Sequence, residues 1–361
     1  MRKFSVLIFT LFLFFLFVSQ NLVSAQADVV PDEALAPVKI NGKWGYINKL
    51  GELTIPARYD EAGVFTEGCA PVRVSIFWGY IDKKGNWFLR PVFTQASNFN
   101  NKRAQISLFD PTDSATITGY ISPKGEFLFR IETYEVGYDY HDGLLRMRSA
   151  DQMGMAFGFR DSMGNYIIQP RFDAALDFSE GLAAIMLGTK WGFTSPMDDF
   201  TIFPVYDEAY SFNESLAFVR SEKKKGFINK KGKMMINLSS YDEVSPFIYE
   251  DMIAVRKNGK MGFVDKKGKL KVKTIYNNNI LSAFGNGLAA VAITDNAGAT
   301  KYGYINKEGK MIIPATFDEA FNFYEDRARV KLNGKYAFID TTGKIIAQNY
   351  DEAFDFSATY R

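Results

Sequence analysis

The chain of 361 residues contains one cysteine, Cys69, and one histidine, His141. A lone cysteine excludes an internal disulfide, so the fold has to be held together by packing. It also makes a thiol nucleophile a poor expectation, because the only imidazole that could activate it sits far along the chain. No Gly-x-Ser-x-Gly, His-Glu-x-x-His or Cys-x-x-Cys motif is present, and no histidine cluster. The usual arrangements for serine hydrolysis, zinc and dithiol chemistry are therefore missing. An enzyme is not expected, and no catalytic residue, metal ligand or cofactor follows from the residue types. Sustained helical periodicity is lacking as well; apolar residues alternate or form short runs, which points to an all-β chain.

Only the N-terminus is strongly apolar. Arg2 and Lys3 precede a run from Phe4 to Val18, then polar residues and small side chains at Ala25 and Ala27. This is the pattern of a secretory signal peptide, and the run is shorter than the ~20 residues of a membrane span. The expected division is a signal peptide over 1–25, a short segment over 26–33 and one repeat domain over 34–361. The expected address is outside the cytoplasm: periplasm, cell surface or medium. A lipid anchor would need a cysteine at the cleavage site, and no later segment could span a bilayer. Cleavage after Ala25 removes two basic residues and no acid, so 43 − 2 = 41 Lys plus Arg would face 41 Asp plus Glu.

What the chain does contain is repetition. Lys43 to Ala62, KWGYINKLGELTIPARYDEA, returns as KYGYINKEGKMIIPATFDEA from Lys301 to Ala320. Alignment on the WGY core finds nine copies, at Trp44, Trp78, Thr118, Phe157, Trp191, Lys225, Met261, Tyr302 and Tyr336. The central residues are Gly45, Gly79, Gly119, Gly158, Gly192, Gly226, Gly262 and Gly303, then Ala337, at spacings of 34 to 41 residues. The next position is always aromatic: Tyr46, Tyr80, Tyr120, Phe159, Phe193, Phe227, Phe263, Tyr304 and Phe338. These rings are expected to form a stacked core spine, each buried side chain contributing roughly 1.5–3 kcal/mol before entropy is charged. Sugar stacking is their alternative role. The glycine before them marks a close approach by a neighbouring ring, or a bulge.

Each copy reads as hairpins. Asn41-Gly42, Asn258-Gly259 and Asn333-Gly334 suit turns with two positive φ angles. Turns such as Asp82-Lys83-Lys84-Gly85 suit a type I turn followed by a left-handed residue. A third strand is expected to stop at proline, as in Ile312-Ile313-Pro314. An aromatic-acidic corner closes the unit, as in Tyr59-Asp60-Glu61-Ala62 and Tyr350-Asp351-Glu352-Ala353. The fixed register of these acids suits a structural turn or cap better than a catalytic pair or calcium site.

KWGYIN, FWGYIDKKG, KWGF, the Ile-Pro element and the YDEA corner resemble the WG-repeat proteins, also called KWG repeats, over nearly the whole mature chain. Tryptophan survives at the first core position only in Trp44, Trp78 and Trp191. The resemblance implies a bacterial β-repeat architecture and carries no substrate with it; export is the expectation from the N-terminal segment. An open superhelix is the favoured architecture. A closed ring of blades is the alternative, since the last unit ends where the first begins, but nine blades exceed the usual four to eight.

Two near-motifs fail on inspection. Gly262 to Lys269 and Gly226 to Lys233 imitate a phosphate-binding loop but carry five residues between their glycines where four are needed. Length variation concentrates in one hairpin tip, long in repeats three, four and eight. Arg220 to Lys273 holds fifteen basic and six acidic residues, so 15 − 6 gives +9 on repeats six and seven. Lys223, Lys224, Lys225, Lys230, Lys231, Lys266 and Lys267 are accordingly candidates for a polyanion surface. The expected function is a non-catalytic scaffold binding a protein or an anionic glycan at the bacterial cell envelope, with no nucleic-acid partner. Alternatives are a glycan-processing enzyme using corner carboxylates, and a purely structural envelope protein.

Overall fold

The computed structural model describes residues 34–112, 114–151 and 154–356. The expected signal peptide and the segment 26–33 lie outside the described residues. Local turn chemistry organises each unit. At the hairpin tips Asn41 and Gly42 take φ of 50° and 78°, and Asn258 and Gly259 take 50° and 74°. Tips of this kind join strands such as Ala36–Ile40 and Lys43–Ile47, paired from Ala36↔Ile47 to Ile40↔Lys43. At the other end of the second of these strands, Asn48 Oδ1 accepts the amides of Leu50 and Glu52, and Gly51 supplies φ 84°. An asparagine or aspartate that captures its own turn's amides, closed by a glycine, fixes the chain reversal. Repeats three, four and eight lengthen the tip hairpin itself, as in Ala104–Asp110 with Ala115–Ile121.

The third strand departs from expectation. It does not stop at proline: Leu53–Tyr59, Trp87–Phe93, Phe200–Tyr206 and Met311–Phe317 all run through it. Tyr46 pairs Ile55 and Trp44 pairs Tyr59, so Pro56, Ala57 and Arg58 bulge opposite the single residue Gly45. Proline is tolerated there because a bulge leaves its position outside the ladder. The bulge also explains the glycine. A Cβ on Gly45 would lie 2.5 Å from the Ile55 carbonyl oxygen and 2.7 Å from the Ala57 nitrogen. Of the two readings of this glycine, backbone approach at the bulge therefore holds for most copies, although at Gly119 the Phe127 ring also crowds the site.

The fourth strand is the corner motif. Glu61–Ala62 and Glu208–Ala209 are two-residue strands that pair with the strand which follows the corner, and Glu352–Ala353 is a third of the same length. Among the described residues there are nine four-stranded sheets and no helix. In eight sheets the four strands are consecutive. In the ninth, Glu352–Ala353 from the C-terminal end pairs antiparallel with Ala36–Ile40, through Val38↔Ala353 and Lys39↔Glu352. The array is therefore a closed nine-bladed ring, which corrects the favoured open superhelix. Open, it would leave the edge of Ala36–Ile40 unpaired and Ala36 and Val38 in water; closed, both are fully buried. We number the blades one to nine, blade one being the sheet that contains both ends.

Candidate functional site

All nine third-position aromatics are buried. Eight of them pair ring against ring with an aromatic from the segment after the corner, as Tyr46–Phe65 at 4.8 Å, Phe159–Phe178 at 4.7 Å and Tyr304–Phe323 at 4.9 Å, while Phe227 meets Phe218 of the adjacent strand. The core is thus a set of discrete clusters between blades in place of one unbroken stack. Tyr46, Tyr80 and Tyr304 donate their hydroxyls to the carbonyls of Gly63, Ser97 and Phe321. Burial pushes these phenols up, which keeps them protonated as donors. Of the residues expected to form the repeat core, Tyr46, Tyr80, Tyr120, Phe193, Phe227, Phe263 and Tyr304 do so. Gly45, Gly79, Gly119, Gly192, Gly226, Gly262 and Gly303 stand beside the third strand. Trp191 packs in the core of blade five. These aromatics face no solvent, so the sugar-stacking alternative does not apply to them.

The corner acids hold neighbouring blades together. Asp60 accepts from Lys43 Nζ at 2.5 Å, in its own repeat, and from the amide of Ser75 at 2.7 Å, at the next tip. Asp318 does the same with Lys301 and Gly334, and Asp351 meets Lys335. The lysine hydrogen bond, before any other cause, holds these three carboxyls below their ordinary value. The corner glutamates pair across to the second strand: Glu61 with Arg73, Glu208 with Arg220, Glu243 with Arg256, Glu319 with Lys331 and Glu352 with Lys39. Among the described residues no group of three or more His, Cys, Asp and Glu side chains is placed to hold a metal. Cys69 is buried in blade two, and burial, then the charge of Glu67, pushes its thiol up to about 12. His141 lies in blade four, its Nε2 3.8 Å from Asp177.

The candidate lysines divide between two ends of the blades. Lys223 and Lys224 lie at the tip that joins Ala217–Ser221 to Lys224–Ile228, and Lys225 donates to the Asp242 carbonyl beside them. Lys230 and Lys231 follow Ile228 at the far end of that strand, roughly 13 Å away at ~3.3 Å per residue. There Lys230 pairs with Glu180, and Lys266 with Glu214 and Asp251. Lys267 shares the turn with Lys266. The structure brings together Lys223 to Lys225 and, separately, the turn lysines; it does not join the two sets on one face.

A concavity of about 720 Å³ opens where blades one, two and three meet along their short strands, lined by Lys39, Trp44, Glu61, Arg73, Trp78, Asn98, Glu352 and Phe354 among others. Its floor is aromatic. Phe354 lies flat on Trp44, with centroids 5.2 Å apart and planes 18° from parallel. Trp44 is 5 % exposed and Phe354 46 %, so the tryptophan is the support and the phenylalanine presents the free face. Lys39 Nζ sits 5.7 Å from the Trp44 ring and 2.7 Å from Glu352. Arg73 meets Glu61 at 2.6 Å on the adjoining blade. Lys39 and Arg73 thus each carry an anion, and Asp60, also in the lining, is paired with Lys43, so the groove combines one apolar plane with two cations and three carboxylates. The size is typical of a small-ligand site.

Sequence reasoning placed Trp44 and Trp78 in the repeat core and passed over Phe354, Lys39, Arg73 and Asn98. A signal was present: the residue after the corner is Phe354, Phe321 and Tyr210 in three copies but Gly63 and Ser97 in others. That variation at a fixed position separates a surface from a core.

A family model described as a WG-containing repeat matches residues 44–75, 78–108, 157–191, 200–224, 226–260, 261–296, 302–336 and 337–358. The stretch around Tyr120 falls between two of these segments, yet forms blade three with all four strands. Among solved structures, the chain is similar to a eukaryotic initiation factor, with 12 % identity and a TM-score of 0.58, over 90 % of this chain and 98 % of that one. It is also similar to Hsv2 of Kluyvelomyces marxianus, with 8 % identity and a TM-score of 0.40, over 81 % and 96 %. An uncharacterized protein from Listeria monocytogenes EGD-e matches with 10 % identity and a TM-score of 0.35, over 90 % and 97 %. At these identities the first likeness shows the fold alone. Among curated proteins, none matches the sequence.

Proposed function

Because the chain belongs to the family of WG-containing repeat proteins, we propose that it is a non-catalytic binding scaffold whose ligand is a saccharide chain held in the groove around Phe354. The stacked Trp44–Phe354 pair carries this reading. A pyranose ring has an apolar C–H face and a rim of hydroxyls. An exposed aromatic plane takes the face, and ion-paired side chains offer both donors and acceptors to the rim. Three carboxylates against two cations in the groove favour a neutral sugar over an anionic one. The anionic-glycan reading rests on the lysines of blades six and seven, which stand at two separate ends and are in part already paired. A glycan-processing role for the corner carboxylates has less support, since the aspartates are engaged between blades and the glutamates in ion pairs within them. The place of action we propose is the bacterial cell envelope, outside the cytoplasm, on the strength of the segment from Arg2 to Ala27. Exported protein should begin near Gln26 or Asp28; an exported mass that retains Met1 would remove that part of the proposal.

The test is a titration followed by tryptophan fluorescence, with hexasaccharides of N-acetylglucosamine, cellulose and maltose type and with polygalacturonate as the anionic arm. A saturable change with a neutral hexasaccharide is expected. Phe354→Ala should weaken it roughly 2- to 13-fold, from the ~0.5–1.5 kcal/mol of a ring contact. Binding confined to polygalacturonate, removed by reversal of Lys223, Lys224 and Lys225 to glutamate, would replace this reading with the polyanion one.

A further inference from the structure

The groove is made from both ends of the described chain. Lys39 and Trp44 belong to its first hairpin, Glu352 and Phe354 to its last segment, and Glu61 and Arg73 to the adjoining blade two. In blades two to nine the short strand continues by a turn into the second strand of its own sheet. In blade one it does not, because that second strand is Ala36–Ile40 at the other end of the chain. The closing strand is therefore tethered on one side only. Two paired residues hold it, with amides of Asp351 and Phe354 donating to Lys39 and Pro37 carbonyls at 3.1 Å each. Lys39 with Glu352, Lys335 with Asp351, Arg329 with Asp355 at 2.9 Å, Phe354 on Trp44 and Phe356 against Phe338 at 5.1 Å add to the attachment. The short strands of blades two, five, six and seven also pair through two residues, so the seam differs from them in lacking covalent continuity; local opening there would carry Phe354 and Glu352 out of the groove.

Resting on the saccharide reading above, we infer that ligand binding and ring closure are one coupled equilibrium: the sugar lies across the seam and fastens the ring. A ligand that binds only the closed form lowers the open population by the factor 1 + [L]/Kd, about 100-fold at 100 Kd. Coupling of this kind gives occupancy a structural output, since the free ring can open at the seam and the loaded ring stays shut.

Hydrogen exchange on the full chain reads this directly, using the neutral hexasaccharide that saturates the fluorescence titration. Without sugar, the amides of Asp351 and Phe354 should exchange faster than those of Asp207 and Tyr210. The latter make the matching bonds in blade six, to Arg220 at 2.8 Å and Phe218 at 3.0 Å. With sugar at 100 Kd the seam amides should slow about 100-fold while the blade-six amides hold their rate. Asp355→Ala, which removes the Arg329 tether at a residue outside the groove lining, should weaken binding as well. Binding with unchanged exchange at Asp351 and Phe354 would leave the saccharide site standing and overturn the coupling alone. No saturable binding by any of the three hexasaccharides would overturn the saccharide site and the coupling with it.

Discussion

At Gly192 an added Cβ would stand 2.5 Å from the Ile202 carbonyl oxygen and 2.6 Å from the Pro204 nitrogen, both backbone atoms that cannot rotate away. The ninth copy shows how alanine becomes acceptable. Ala337 pairs with Gln348 and Phe338 with Ala347, so only Gln348 and Asn349 occupy the stretch before Tyr350, where three residues stand in blade one. Asn349 takes φ 73° to make the shorter bulge. Loss of a bulge residue and gain of a methyl group go together. Gly192→Ala should therefore destabilise the protein by about 1–3 kcal/mol through forced backbone displacement. Ala337→Gly should cost no more than ~1 kcal/mol from chain entropy. Urea midpoints of the two variants measure the difference, and equal effects would mean that the bulge does not select the glycine. The glycine's meaning was half legible. The sequence offered bulge or ring contact, and only the register of the facing strand decides between them.

At the scale of the element, the turns were readable and the corner was not. Asn48, Asp82 and Asp340 capture their own turn amides within five residues, so their chemistry is local and visible in the string. Asp60 instead joins Lys43, in its own repeat, to Ser75 at the next tip, a bridge that exists only once blades are stacked. The fourth strand escaped notice for a related reason: two residues such as Glu61–Ala62 are too few to show alternation. Proline misled because its missing donor was taken to end a ladder that in fact bulges around it. The corner bridges also set a pH dependence. The carboxyls of Asp60, Asp318 and Asp351 lie below their ordinary value in the folded protein, so their contribution is present above the unfolded value of about 3.9. It is lost as pH falls through the lower folded values. Stability should stay level from pH 7 to about 5 and drop below about 4. A triple Asp→Asn variant should lose part of that drop; an unchanged slope would show that other carboxylates carry it. Lysines divide by partner in the same way. Lys266→Glu sets a like charge against Glu214 and Asp251 and should cost roughly 1 kcal/mol, whereas Lys223→Glu at an exposed tip should stay within about 0.5 kcal/mol. Paired thermal melts would show it, and equal shifts would deny the bridge any role in holding the fold.

At the scale of the whole molecule, nine copies of one unit leave open whether they make a helix or a circle, because each contacts its neighbours in the same way in both. The difference lies in a small rotation per blade, which no single repeat encodes. The ends decide it. Glu352–Ala353 supplies the strand that blade one lacks, and Lys49 reaches Glu325 at 2.8 Å across the same boundary. The sequence hinted at this through a last unit that stops where the first begins. A closed ring whose seam lies inside one blade has no privileged starting point among its tips. If residues 34–356 are joined end to end by a flexible linker and reopened at the exposed Asn258-Gly259 tip, every sheet becomes covalently continuous except blade seven, whose two central strands then meet as separate ends. Such tips tolerate new termini well. The permutant should keep the far-ultraviolet spectrum and cooperative melting of the parent, because blade seven retains six paired positions between Met252–Lys257 and Lys260–Asp265 where blade one's seam has two. The seam amides of Asp351 and Phe354 should then exchange at the rate of Asp207 and Tyr210, now that their strand is tied at both ends. A permutant that fails to fold, or that polymerises at every concentration, would mean that the circle depends on the order in which its blades are made.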